Sequence, residues 1–362
     1  MWTKIYILVF FTSGILSLIF TKLAGVVAKK TGIIDMPSSR KVHKQPIPLL
    51  GGLGIYFSFA LTILIGLFLA KLQLMPGYLL VHSPGISHTS KKLAVILTGG
   101  FLVVAFGLID DIKGVKPFQK LILQTIVAII VFMEGMRISL FLPTLFHSFV
   151  LTIGWFVLIM NSFNLMDNMD GLSTGVAFIT GSILFIFALQ MNQLFIATIL
   201  AAFLGSIVGF LKYNLPPAKI FMGECGSSFI GFFLATISIL MTFYRYEKHQ
   251  TFLPFFAPLI IFSILFFDTT SVIWIRTKRK LPIFKADKNH FSHRLVNIGM
   301  SQKQAVLFIY LLTICTGIGS LLLSNLNTFG GILVIIQVFI IISLTGILEF
   351  VGKKKEERIK NS

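Results

Sequence analysis

The chain has 362 residues, 56% of them hydrophobic and 12% charged, with mean hydropathy +0.91 and a formal net charge of +18. That balance excludes a soluble globular protein, because apolar stretches near the roughly 20 residues needed to cross a bilayer recur along its length. In a soluble protein the positive charge would suggest nucleic acid; here it reads as basic loops on the cytoplasmic side of a membrane, with no nucleic-acid partner.

Taken in chain order, the apolar segments predict an all-α integral membrane protein of about eleven transmembrane helices. They lie near 5–28, 49–70, 93–109, 118–133, 148–163, 172–190, 194–211, 229–244, 252–275, 304–323 and 330–350. The reading is one polytopic domain over 1–352 and a short basic tail over 353–362. The first segment has one early Lys and no small-residue cleavage site after it, so it reads as a retained span. Trp, Tyr and Phe near many span ends suit interfacial anchoring. Cys225 and Cys315 are too few and too far apart for a disulfide framework or a zinc site.

Basic residues choose the orientation. With the N-terminus outside and the C-terminus inside, the inner segments hold Lys29, Lys30, Arg40, Lys41, Lys44, Lys113, Lys116, Lys212 and Lys219. They also hold the basic residues from Arg276 to Lys303 and from Lys353 to Lys360. The outer segments hold only Lys4, Lys71, Lys91, Lys92, Arg137, Arg245 and Lys248. Every odd-numbered span then ends inside. Of the 13 acidic residues, Asp110, Asp111, Asp167, Asp170, Glu224, Asp268 and Asp287 all reach that one cytoplasmic face, where the candidate site is expected.

Each cluster suggests chemistry. Asp110 and Asp111 end the third span, where a partially negative helix terminus and mutual repulsion call for a positive partner, a metal ion or Lys113 and Lys116. Alone, such a pair would read as a solvated loop. Asn161, Asn164, Asp167 and Asp170 recur every third residue in "NSFNLMDNMDGLS". Steps of three rotate by about −60° on a helix, so convergence requires the chain to unwind near Asp167, which Asn168 and Gly171 would permit. "FMGECGSS" places glycines and serines around Glu224 before a helix whose free N–H groups would suit an anion. Glu224 suits Mg²⁺, an oxygen-preferring cation that bridges to phosphate. "DKNHFSHRL" brings His290, His293 and Arg294 beside Asp287 and Lys288; lacking a third zinc ligand, it fits phosphate recognition better. Asp268, about two turns inside a span, is either paired with a basic group or part of the site. Lys120, within the fourth segment, joins Asn161 among the candidate substrate-binding residues.

In order, "GLIDD", "NSFNLMDNMDGLSTG", "FMGECGSSFIGF" and "DKNHFSHRL" resemble the motifs of the polyprenyl-phosphate N-acetylhexosamine-1-phosphate transferases. The resemblance runs from about Gly51 to Arg294. The His-containing loop looks more like the N-acetylglucosamine-1-phosphate transferases of O-antigen and teichoic acid synthesis. The consecutive triple-histidine motif usual in the phospho-N-acetylmuramoyl-pentapeptide transferases is absent. The resemblance implies a multi-pass enzyme of the bacterial inner membrane that initiates a cell-envelope polysaccharide. It would transfer a sugar-1-phosphate from a UDP-N-acetylhexosamine to undecaprenyl phosphate and release UMP. It implies Mg²⁺, with Mn²⁺ as a second candidate, at Asn164 and Glu224. Asp110 and Asp111 would position or deprotonate the lipid phosphate, Asp167 and Asp170 would lie near the nucleotide, and His290, His293 and Arg294 would bind phosphate groups. Membrane lipids are further partners, and a homodimer is compatible with the sequence. The family usually carries Asp where this chain has Glu224, a difference of one methylene. A secondary transporter or lipid flippase is the competing class, but it would place its site near the bilayer midplane between repeated halves.

Overall fold

The computed structural model describes residues 2–37, 45–72, 83–139, 142–244, 251–282 and 289–361. Asp287 and Lys288, read above with the histidine motif, lie outside these residues, as do Arg40, Lys41, Lys44, Arg245, Lys248 and Lys285.

The elements run α1 (Trp2–Thr31), β1 (Ile34–Asp35), β2 (Ile47–Pro48), α2 (Gly51–Lys71), α3 (Ser83–Lys113), α4 (Pro117–Met133) and α5 (Leu145–Met166). They continue with α6 (Leu172–Gln190), α7 (Leu194–Asn214), α8 (Gly223–Leu240), a 3₁₀ turn (Leu253–Phe256), α9 (Ala257–Ile261) and α10 (Ser263–Lys278). The short α11 (Phe291–Asn297) precedes α12 (Gln302–Leu322) and α13 (Thr328–Asn361). Among the described residues nine helices are long and apolar enough to cross a membrane.

Two of the eleven expected segments differ from simple spans. The segment expected at 252–275 is broken: Leu253–Ile261 and Ser263–Lys278 meet at a 60° bend. Pro254 and Pro258 lie in the first turns of the two short pieces, where their missing N–H groups are tolerated but would interrupt one continuous helix. The fourth segment is the 17-residue α4, shorter than a typical span.

α7 and α8 form the interior, each with 72% of its apolar window buried, against 22% for the outer α1 and α13. α8 packs against α2, α3 and α5, while α1 packs against α2 and α7. A minimal backbone ladder fixes where α8 begins. Phe221 N–H donates to Pro48 O at 2.8 Å, Gly51 N–H to Phe221 O at 2.9 Å and Gly52 N–H to Met222 O at 2.9 Å. The starts of α2 and α8 are thereby held side by side. A Cβ at Gly107 of α3 would fall 2.5 Å from Cys225 Cα, so glycine is what lets α3 reach α8 at this end.

Candidate active site

The starting point is the first turn of α8. Gly223 adopts φ +69°, and a side chain there would meet Asp111 Oδ2 at 2.5 Å. Glycine therefore supplies the left-handed turn and leaves space for the carboxylate. Asp111 Oδ1 accepts the Glu224 N–H at 2.8 Å and Oδ2 accepts the Cys225 N–H at 3.2 Å. The N–H groups that looked available for an anion are in part already taken, by a carboxylate from the end of α3. Capping a helix N-terminus with a negative group is favourable on both hydrogen-bonding and dipole grounds.

Asp110 points elsewhere. Its Oδ1 accepts the Val115 N–H at 2.6 Å, and its Oδ2 lies 2.5 Å from Lys120 Nζ as an ion pair without hydrogen-bond alignment. Lys120 Nζ also donates to Glu224 Oε1 at 2.9 Å. The expectation that Lys113 and Lys116 balance the acidic pair is corrected: both are exposed, and the balance comes from Lys120 and the start of α8. Glu224 Oε2 accepts a short bond from Asn164 Nδ2, which also reaches Ser227 Oγ at 3.3 Å. Asp110, Asp111, Lys120, Asn164 and Glu224 thus form one contiguous group drawn from four helices at one end of the bundle.

The second acidic motif unwinds where its spacing required. α5 ends at Met166, Asp167 is its C-cap, and Gly171 takes φ +73° before α6 begins. Burial, then the charges of Glu224, Asp111 and Asp170, push the Asp167 carboxyl up to about 8. Asp170 Oδ2 accepts the Ala218 N–H at 2.9 Å, tying this turn to the loop after α7. Asn161 lies deeper, its Nδ2 donating to Gln124 Oε1 on α4 and to Val157 O, both at 2.7 Å.

The histidine motif forms a neighbouring lobe. Asp268 is buried; it accepts the Phe291 N–H at 2.7 Å and lies 3.6 Å from His290 Nδ1, so it is a paired acid at the start of α11. The His290 and His293 rings are 6.4 Å apart. Ser292 Oγ donates to Asn168 Oδ1 at 2.5 Å, which joins this lobe to the Asp167 turn. Arg294, expected to face phosphate, is held internally. Its Nε pairs with Glu349 of α13 at 2.9 Å, its NH2 group donates to Ser271 Oγ at 2.6 Å, and its NH1 group donates to Asn289 O. A guanidinium presents five N–H donors in a fixed fork, and these three partners each take a donor from a different nitrogen.

Among the described residues no group of three or more His, Cys, Asp or Glu side chains is arranged to hold a metal by itself. The oxygen donors of Glu224, Asn164 and the nearby aspartates suit Mg²⁺, which commonly takes one or two carboxylates and completes its shell with water and substrate phosphate. A cation already sits among them: the Lys120 ammonium lies between Asp110 and Glu224.

Sequence reasoning missed Gln124 and Glu349. Gln124 follows Lys120 by one turn in an apolar helix, a polar pair on one face that was visible in the sequence. Glu349 is 55 residues from Arg294, and no local signal links the two.

The model of glycosyl transferase family 4 matches residues 93–242, the stretch holding both acidic motifs and Glu224. A probable undecaprenyl-phosphate N-acetylglucosaminyl 1-phosphate transferase of Bacillus subtilis is 32% identical over 94% of this chain and 92% of its own length. The chain belongs to this transferase family. Decaprenyl-phosphate N-acetylglucosaminephosphotransferase of Mycolicibacterium smegmatis is 31% identical over 84% of this chain and 78% of its own. Undecaprenyl-phosphate alpha-N-acetylglucosaminyl 1-phosphate transferase of Escherichia coli is 26% identical over 81% and 77%. With its apolar helices and bacterial relatives, this family member is a multi-pass protein of the bacterial inner membrane.

Proposed function

We propose that the chain transfers N-acetylhexosamine-1-phosphate, with GlcNAc as the favoured sugar, from a UDP-sugar to undecaprenyl phosphate, starting a cell-envelope polysaccharide. The site would face the cytoplasm in an eleven-span arrangement with the N-terminus outside, counting α4 and the bent pair as spans. The observation that carries the reading is the contact group of Asp110, Asp111, Lys120, Asn164 and Glu224 at one end of the bundle, in a chain of this family. A transporter site at the midplane would not gather its charges at helix ends.

The reaction would form one P–O bond and break one. An oxygen of the lipid phosphate attacks the sugar-bearing phosphorus of the UDP-sugar, and the bond from that phosphorus to the bridging oxygen breaks, releasing UMP. The repulsion between two anions is the obstacle, and Mg²⁺ held by Glu224 and Asn164 would supply charge neutralisation when bound. Lys120 would bind phosphate oxygen as it exchanges carboxylate for substrate. Asp110 would orient the acceptor phosphate and accept its proton, while Asp111 fixes the first turn of α8 and so aims Glu224. Asp167 and Asp170 would shape the nucleotide side, and His290 and His293 the phosphate side. Arg294 acts here by holding α10, α11 and α13 together.

The test is UMP release by the purified protein with Mg²⁺, UDP-GlcNAc and undecaprenyl phosphate. Asp110→Asn is expected to reduce the rate at least about 100-fold while the protein remains folded. Solute transport without UMP release would overturn the reading.

A further inference from the structure

Gln124 lies on α4 one turn beyond Lys120 and is only 6% exposed. Its Oε1 accepts Asn161 Nδ2 at 2.7 Å, and the same Nδ2 donates to Val157 O at 2.7 Å. The second bond fixes which end of the Asn161 carboxamide is nitrogen, because a carbonyl can only accept. With one Asn161 N–H on Val157 O and the other on Gln124, the Gln124 atom facing it has to be oxygen. That turns Gln124 Nε2 away from Asn161, and among the described residues the hydrogen bond of the Gln124 side chain is the one its Oε1 accepts. Gln124 lines a narrow cleft with a charged mouth of Asp110, Lys120 and Glu224 and an apolar wall that includes Val103, Phe106 and Met160. Nε2 is thereby left as a donor on a residue lining the cleft, where an anionic ligand's oxygen can accept from it.

The gradient from charged mouth to apolar wall suits a molecule with an anionic head and a hydrocarbon chain. As it stands the cleft has room for about one water molecule. Lys120 spans its mouth, so admission of a ligand requires that ammonium to leave the carboxylates and follow the incoming anion. We propose that Gln124 is a specificity residue for the lipid acceptor: its Nε2 donates to a phosphate oxygen of the polyprenyl phosphate, and the first carbons of the chain lie against the apolar wall. Asn161 positions Gln124 by holding its oxygen. This rests on the transferase reading above. The diphosphate of the UDP-sugar offers similar oxygens but no hydrocarbon for the wall.

The experiment measures KM for each substrate separately in mixed micelles with Mg²⁺. Gln124→Leu removes the donor; Gln124→Glu keeps an oxygen for Asn161 and places negative charge toward the phosphate. Both are expected to raise KM for undecaprenyl phosphate at least about tenfold and to change KM for UDP-GlcNAc less than about twofold, with the Glu variant the worse. If Gln124→Leu does not fold, the Glu variant decides. Unchanged KM for the lipid overturns the proposal. A rise only for UDP-GlcNAc, or a fall in kcat with both KM values kept, overturns it as well. A second measurement needs no turnover: undecaprenyl phosphate, but not undecaprenol, is expected to raise the unfolding temperature of the wild type and not of either variant. That pattern in a protein releasing no UMP would support the lipid contact and refute the reaction; loss of the difference between phosphate and alcohol would refute the contact.

Discussion

Asp111 on α3 accepts the backbone N–H of Glu224 on α8 at 2.8 Å, so the end of one helix caps the start of another 113 positions later. The same carboxylate reaches Cys225 N–H, and Gly223 is shaped to admit it. Asp111→Ala is expected to lower stability by about 1–2 kcal/mol, as loss of a helix cap does. It should also lower UMP release at least about 100-fold, because Glu224 loses its fixed position. Asp111→Asn keeps one acceptor and should cost less stability. Thermal unfolding in detergent beside the activity assay checks both, and full activity in Asp111→Ala would remove the cap from the account.

Lys120 holds Asp110 and Glu224 in the position that a divalent ion would neutralise. Lys120→Met is expected to abolish most activity and, with both carboxylates freed, to tighten Mg²⁺ binding. A Mg²⁺ titration of the unfolding temperature should show a lower midpoint for the variant. An unchanged midpoint would mean that ion and ammonium do not share the carboxylates.

Glu224 uses its two oxygens on opposite sides, Oε1 to Lys120 and Oε2 to Asn164. Glu224→Asp retracts the carboxylate by one methylene, so it cannot keep both contacts unless α8 shifts. A fall in kcat of about 10- to 100-fold is expected, and Glu224→Ala should reduce it further. Assays with Mg²⁺ and with Mn²⁺ should differ more for the Asp variant than for the wild type.

The raised Asp167 carboxyl predicts the direction in which stability depends on pH. That carboxyl is raised in the folded protein to about 8, against about 3.9 when unfolded. Between these values the folded state holds the proton that the unfolded state has lost, so metal-free stability falls as pH rises from about 4 to about 8. Asp167→Asn should flatten that slope and raise the unfolding temperature at pH 7.5 while lowering activity. Unfolding scans in EDTA at pH 5 and pH 7.5 measure it; an equal slope in the variant would assign the dependence elsewhere.

Arg294 and Glu349 join α11 to α13 as an ion pair whose side chains are 14% and 16% exposed. Glu349→Leu leaves the guanidinium without its charged partner and should destabilise by up to about 3 kcal/mol. Unfolding in detergent checks this, and an unchanged transition would show that Ser271 and Asn289 suffice to hold Arg294.

The sequence made the gathering of acids at one end legible through a simple rule: spans alternate direction, so polar clusters after odd-numbered spans share a face. The unwinding at Asp167 was legible for a similar reason, since three-residue spacing conflicts with helical rotation and Gly171 offers the release. The roles within the site were less so. Whether Asp111 meets a substrate or a backbone N–H depends on where α8 starts, and Phe221 and Met222 just before it are held by Pro48, Gly51 and Gly52, far away in sequence. The pairing of Arg294 with Glu349 was not legible, because Glu349 lies two helices away. No residue at the bend itself, between Ile261 and Ser263, marks it in the sequence, since Pro254 and Pro258 lie a turn or more before it.

The most direct measurement is UMP formation from UDP-GlcNAc by purified protein, with and without undecaprenyl phosphate and with Mg²⁺ or EDTA. The account predicts UMP only when lipid phosphate and divalent cation are both present, in step with a pyrophosphate-linked lipid sugar. UMP formed without the lipid, or none from any UDP-N-acetylhexosamine in a preparation shown to be folded, would contradict it.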